Sequence, residues 1–184
     1  MASKYWSKCR RGSRGQFFIV KKQRLYGNFY TYEVARSQIA TRNKIDNTPN
    51  ELELKFAKCI AKEILQPCRD HFGIPYSPSS WFRCEALEKV ICKSAFEDWC
   101  IDNKNPIDEL SWIEYFSKKQ HPTGGACDIE IPGISNDDLF EFIKRNLEFD
   151  QLIREFAIAD DPHSGWVHGS WTMFDRRKQA FKLY

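Results

Sequence analysis

Apolar positions along this chain follow two periods, first one suited to helices and later one suited to strands. Leu52, Phe56, Ile60 and Ile64 recur every four residues, with Ala57 and Cys59 beside them, which predicts a helix that buries one face. Thr48-Pro49-Asn50-Glu51 reads as its start, with Thr48 as N-cap, Pro49 at the first helical position and Glu51 three residues after the cap. Pro67 should kink or split this helix, and Gly73 should end it. After a short extended segment over 74–80, a second helix over about 85–93 should place Leu87, Val90 and Ile91 inward. Ser135-Asn136-Asp137-Asp138 repeats the capping logic ahead of Leu139, Phe140, Phe142 and Ile143, which predicts a third helix.

Three segments alternate with period two. In 126–131 the apolar Cys127, Ile129 and Ile131 share one face, which puts Asp128 and Glu130 together on the other. Residues 152–158 and 166–171 are the remaining strands. Helices gathered ahead of strands, without a β-α-β rhythm, predict an α+β fold in which a small antiparallel sheet packs against the N-terminal helices.

A length of 184 residues is about one domain, long enough to bury a core without disulfides. The 14 Phe, 6 Trp and 7 Tyr exclude a wholly disordered chain, and no apolar run reaches membrane-spanning length. Seven Cys with no C-x-x-C pair point to reduced, mostly buried thiols rather than a disulfide framework or a thiolate zinc knuckle. Residues 1–9 lack the apolar stretch of a secretory signal, so synthesis in the cytoplasm is expected. Charge divides the chain: residues 1–32 hold eight basic side chains and no acid, leaving 20 basic against 25 acidic groups in the rest. We therefore expect a basic arm over 1–28 and an acidic body over 29–184; a solvated tail or an anionic polymer partner would each suit the arm.

The histidines direct attention to chemistry. His121-Pro122-Thr123-Gly124-Gly125-Ala126-Cys127-Asp128 runs from a Gly pair into a strand, and His168 lies on another strand between Trp166 and Ser170. If those strands are neighbours, two imidazoles and one carboxylate converge on one point and leave a fourth position open, the ligand set of a catalytic zinc site. His71 and His163 have simpler readings, as a cation near a helix C-terminus and an exposed loop histidine, and Cys127 reads as core.

The pattern His121-x-x-Gly124-x-Ala126-x-Asp128 with Trp166-Val167-His168 resembles the zinc peptidases of the D-alanyl-D-alanine carboxypeptidase and L-alanyl-D-glutamate endopeptidase family, with its hedgehog-like metallopeptidase fold, and most closely the bacteriophage branch. Further blocks are similar in order: Ile45-Asp46-Asn47-Thr48-Pro49, Leu65-Gln66-Pro67-Cys68-Arg69-Asp70-His71-Phe72-Gly73, Ser79-Ser80-Trp81-Phe82-Arg83, Phe149-Asp150-Gln151-Leu152-Ile153-Arg154-Glu155-Phe156 and Asp161-Pro162-His163-Ser164-Gly165-Trp166-Val167-His168. The likeness spans about residues 29–180. It implies one Zn2+ held by His121, Asp128 and His168 on the sheet, with a water as nucleophile. It also implies Glu155 as general base, with Asp160 and Asp161 as alternatives nearer to His168 in sequence. Arg83 would polarise the scissile carbonyl or grip a substrate carboxylate, and Ser80 and Trp166 would line the substrate site.

Three departures from that pattern carry expectations. Trp81 stands where the family usually has Gly and should narrow the cleft, and Lys119 stands where it has Ser, placing a cation near the metal. Residues 92–120 form a long insertion before the first ligand, a candidate lid, specificity wall or protein contact. The resemblance thus implies a peptidase of peptidoglycan stem peptides, made in the host cytoplasm and acting at the cell wall in phage lysis or wall penetration. The alternative is a virion or assembly protein that keeps the fold and meets other virion proteins through the arm and the insertion. Nucleic-acid binding through residues 4–24 ranks last.

Overall fold

The computed structural model describes residues 22–184, so most of the expected basic arm, residues 1–21, lies outside the described residues. The described chain opens with a hairpin of β1 (Arg24–Tyr26) and β2 (Phe29–Tyr30), which straddles the 28/29 boundary drawn from charge. Two short helices follow, α1 (Thr31–Ala35) and α2 (Gln38–Arg42). Next comes one continuous helical rod made of α3 (Glu51–Ile60), a π turn over Ala61–Leu65 and α4 (Gln66–Phe72). Pro67 does not split the rod. It lacks an N–H, and the widened turn just before it, where Gln66 N bonds back to Ala61 O, absorbs the missing helical bond. Gly73 ends the rod in the left-handed conformation, as expected.

The helices differ from the predicted pattern in three details. The cap of α3 is Asn50, not Thr48: Asn50 Oδ1 accepts from Leu52 N and Glu53 N, while Asn50 N donates to Glu53 Oε2 at 2.6 Å, a reciprocal box two residues later than the predicted one. The buried stripe runs through Ala57, Ile60, Ala61, Ile64 and Leu65, and Leu52 is exposed. In α5 (Glu85–Ile91) only Leu87 turns fully inward; Val90 and Ile91 are exposed, and Glu88 takes a buried position instead. Residues 92–120, the expected insertion, fold as a helical hairpin, α6 (Lys93–Asn103) and α7 (Glu109–Ser117), around their own core of Phe96, Cys100, Trp112, Tyr115 and Phe116.

The remaining elements are β3 (Ala126–Ile129), α8 (Asn136–Asn146) capped by Ser135 as expected, β4 (Gln151–Glu155), β5 (Trp166–Ser170) and β6 (Gln179–Lys182). The architecture is mixed α/β: helices, the two-stranded antiparallel hairpin, and a four-stranded sheet in the order β3-β5-β4-β6. That second sheet is mixed rather than purely antiparallel. After β5 the chain crosses the start of β4 and returns along its far side, so β6 pairs parallel to β4. The registers set the two faces. Cys127, Val167, Gly169 and Leu152 turn toward the helices, where Gly169 meets Ile64 of the π turn. The opposite face presents Asp128, His168 and Ile153 in one row and Trp166 beside Glu155 in the next. Among the described residues, no helix is long and apolar enough to cross a membrane.

Candidate metal centre

Three separate stretches bring the predicted ligands together. Asp128 on β3 sits directly opposite His168 on β5. His121 opens a 3-10 turn, His121–Thr123, that closes at Gly124 with φ of +78°. A Cβ at Gly124 would run into Glu53 O, so only glycine lets this turn lie against α3. A third segment extends the sheet edge beside β3: Ser79 N donates to Asp128 O at 3.0 Å, and Asp128 N donates to Ser80 O at 2.8 Å. This bridge carries Trp81 O to His121 and the Arg83 guanidinium to Asp128.

All three ligand side chains are buried, and their ligand atoms lie within 4.8 Å of one another, so His121, Asp128 and His168 could hold a metal ion. His121 Nε2 is 3.2 Å and His168 Nδ1 3.1 Å from Asp128 Oδ1. The tautomer of His121 follows from its other contact. Its Nδ1 lies 2.6 Å from Trp81 O, and a carbonyl can only accept, so Nδ1 is the donor. In the neutral ring Nε2 is then a lone pair facing a carboxylate oxygen, an arrangement that only a cation between them makes favourable. Burial by itself would raise the Asp128 carboxyl, but positive charge at the His121 and His168 nitrogens, together with Arg83, outweighs it and holds the group well below the usual carboxylate range. The donor set therefore fits a divalent metal, with Asp128 kept ionised.

The chain matches no protein-family model, no curated protein and no solved structure.

The three candidate ligands lie on an open cleft of about 1120 Å³. Arg83 is placed on the ligand carboxylate itself: its Nη2 donates to Asp128 Oδ2 at 2.5 Å and its Nε to Ser80 Oγ at 2.8 Å. Ser80, Trp166 and Glu155 all border the cleft. Glu155 lies one strand over from His168 and two residues along, on the same sheet face. Asp160 and Asp161 sit in an exposed turn away from it, where Asp161 Oδ1 accepts from His163 N. Trp166 packs on Phe156 with ring centroids 4.8 Å apart, and its indole N–H is buried without a hydrogen-bond partner among the described residues.

Trp81 does not narrow the cleft. Its side chain turns into the core, donates from Nε1 to Gly124 O at 3.2 Å and meets the Phe29 ring edge-on. Lys119 reaches the cleft but rests over the Tyr115 ring, 4.0 Å from its centroid, rather than on the ligands. The helical hairpin of the insertion thus walls one side of the cleft, through Ala95, Lys118 and Lys119. Cys92 stands on the same wall and donates to Glu88 Oε1 at 3.2 Å; burial, then Glu88, push its thiol up to about 11. His71 stacks on Phe142 and His163 is exposed, both outside the cleft, while Cys127 is fully buried on the opposite sheet face.

Two groups escaped the sequence reading. Asn47 is buried and ties three segments together: its Nδ2 donates to Ala35 O at 3.0 Å and Phe82 O at 2.9 Å, and its Oδ1 accepts from Cys84 N at 2.8 Å. It thereby grips the residues on either side of Arg83. Gln120 reaches His168, with Oε1 2.9 Å from Nε2. Both residues lie inside or beside the quoted motifs, and only the three-dimensional contacts give them roles.

Proposed function

We propose that this protein is a zinc-dependent peptidase of peptidoglycan stem peptides, of the D-alanyl-D-alanine carboxypeptidase or L-alanyl-D-glutamate endopeptidase type, serving phage lysis or wall penetration. The observation that carries this reading is the buried convergence of His121 Nε2, Asp128 Oδ1 and His168 Nδ1 on an open cleft whose walls hold Glu155 and Arg83. Zinc bound by such a set supplies a Lewis acid for a peptide carbonyl and for water. Glu155 takes a proton from the attacking water and returns it to the leaving amine. Arg83, oriented by Ser80 and Asp128, brings positive charge to the place where the carbonyl oxygen becomes negative. Arg36, Lys118 and Lys119 on the rim suit the carboxylates of a stem peptide, and the Phe156–Trp166 pair suits its apolar parts.

The test joins metal content to hydrolysis: elemental analysis of protein purified without added metal, then mass spectrometry of muropeptides incubated with and without a chelator. About one zinc per chain and chelator-sensitive cleavage are expected, and the fragment masses name the bond. Zinc without cleavage overturns the peptidase reading. In that case the exposed Ile101, Ile107, Leu110 and Ile113 on the insertion hairpin favour the second reading, a virion or assembly subunit, tested by sedimentation with phage particles.

A further inference from the structure

We infer that Gln120, held by Asp150, is a positioning residue that sets which nitrogen of His168 faces the metal; the inference rests on the metal reading above. His168 makes two contacts through its two nitrogens, Nδ1 to Asp128 Oδ1 at 3.1 Å and Nε2 to Gln120 Oε1 at 2.9 Å. A neutral imidazole has one proton, so it can donate only one of them. The Gln120 amide decides which. Its Nε2 lies 3.0 Å from Asp150 Oδ2, and a carboxylate only accepts, so this end of the amide is the donor and the oxygen is the end turned to His168.

Asp150 is itself locked as an acceptor. It is buried, and Arg177 donates to it from the backbone N at 2.9 Å, from Nε at 3.1 Å and from Nη2 at 2.6 Å. Burial would raise this carboxyl, but Arg177 and Gln120 outweigh it and hold the group below the usual range. Hydrogen-bond direction therefore runs one way from both ends into Asp150, the proton of His168 goes to Nε2, and the Nδ1 lone pair is left aimed at the cluster. Trp81 O imposes the opposite tautomer on His121, so the two rings, 5.0 Å apart and edge-to-face, offer different nitrogens to one point.

Without Gln120, His168 could carry its proton on Nδ1 and donate to Asp128 Oδ1, and an internal hydrogen bond would take the place of a ligand. Gln120 directly precedes His121, so one turn holds a ligand and the orienter of its partner.

The test uses full-length protein with histidines labelled with nitrogen-15. Long-range proton–nitrogen spectra of the metal-free protein, recorded where the imidazoles are neutral, read the tautomer, and competition with a chromophoric chelator reads zinc affinity. Gln120→Leu should turn His168 into a mixture of tautomers and weaken zinc by roughly 10–100-fold, the range for lost supports of metal ligands. Gln120→Glu keeps an acceptor toward His168 whether or not its other oxygen carries a proton toward Asp150, and should keep the Nε2–H tautomer. Gln120→Leu with an unchanged tautomer and zinc affinity overturns the inference, as does a Gln120→Glu protein that loses the Nε2–H tautomer. A wild-type protein that takes up no zinc overturns the metal reading alone, and the tautomer measurement then decides the role of Gln120.

Discussion

Asn47 offers the sharpest test of how the centre is held. It lies far from the ligands in sequence, yet its amide bonds Phe82 O and Cys84 N, the main-chain groups flanking Arg83, as well as Ala35 O. Asn47→Ala removes three hydrogen bonds, two of them buried. A typical hydrogen bond contributes about 0.5–1.5 kcal/mol, so the loss of three is expected to cost about 2–4 kcal/mol. For a chain of this length that lowers Tm by roughly 5–15 °C. Asn47→Asp separates hydrogen bonding from volume. One oxygen still accepts from Cys84 N, but the other now faces two carbonyl oxygens with no proton to share unless the new carboxyl is protonated. Its pKa in the folded protein should therefore rise above the ordinary ~3.9. The unfolded chain then ionises first, so the penalty is smallest below about pH 4 and grows as pH rises toward the folded value. Urea unfolding of wild type and both variants between about pH 3.5 and pH 7.5 measures this directly. An Asn47→Ala protein within about 0.5 kcal/mol of wild type would refute the reasoning, as would an Asn47→Asp protein with a pH-independent deficit.

Four further outcomes follow from the same geometry. Glu155→Gln should retain zinc and lose at least ~100-fold in muropeptide turnover, the usual worth of a general base; a zinc-loaded and fully active variant would return the role to Asp160 or Asp161. Arg177→Ala removes the cation that, against burial, keeps Asp150 low, so the loss should be present at pH 7 and fade as pH falls through the carboxylate range, seen as converging urea midpoints; the half-exposed arginine limits it to about 1 kcal/mol. Gly124→Ala meets both a positive φ and Glu53 O, so it should destabilise by at least ~1 kcal/mol and weaken zinc, read by thermal unfolding and chelator competition. Removing metal should lower Tm, since free zinc at a hundredfold excess over Kd stabilises by about 2.7 kcal/mol; a Tm indifferent to zinc would speak against the centre.

The period-two pattern carried the most information. The alternation put Asp128 opposite the apolar face of 126–131 and His168 between Trp166 and Ser170, and the β3–β5 register brings the two opposite each other on one face. Capping chemistry worked at Ser135 but misplaced the start of α3, because Thr48, Asn50, Glu51 and Glu53 offer two overlapping boxes and only the hydrogen bonds choose between them. Apolar periodicity failed where one charge is buried against a partner nearer the surface. Glu88 beside Arg83 and Arg154 on Asp137 occupy positions a hydropathy pattern assigns to solvent, while Val90 and Ile91 are displaced outward. Strand β6 is only four residues long and gains its place from the Asp150–Arg177 contacts at the crossing, a tertiary cause that local pattern does not contain. Gln120 and Asn47 were invisible for a related reason: an amide has no periodic signature, and its role depends on which ends are donors.

The polarity of the centre comes from the groups behind the ligands. Trp81 O is delivered by the segment bridged to β3, the Gln120 amide by the turn after α7, and Asp150 by the entrance to β4. Each terminates its chain of bonds in an atom that can only accept: a carbonyl for His121, and a carboxylate acting through an amide for His168. The outer nitrogen of each imidazole is therefore the donor, and the inner nitrogen is a lone pair aimed at a carboxylate that Arg83 already holds by its other oxygen. Three acceptors then face one another in a buried space, where low dielectric magnifies their repulsion. Only a cation relieves it, and a proton can do so for one pair at a time while a metal ion serves all three. Such a site would be lost without touching a candidate ligand: exchanging an outer acceptor for a donor lets the ring turn its proton inward, and a hydrogen bond to Asp128 takes the place of metal binding.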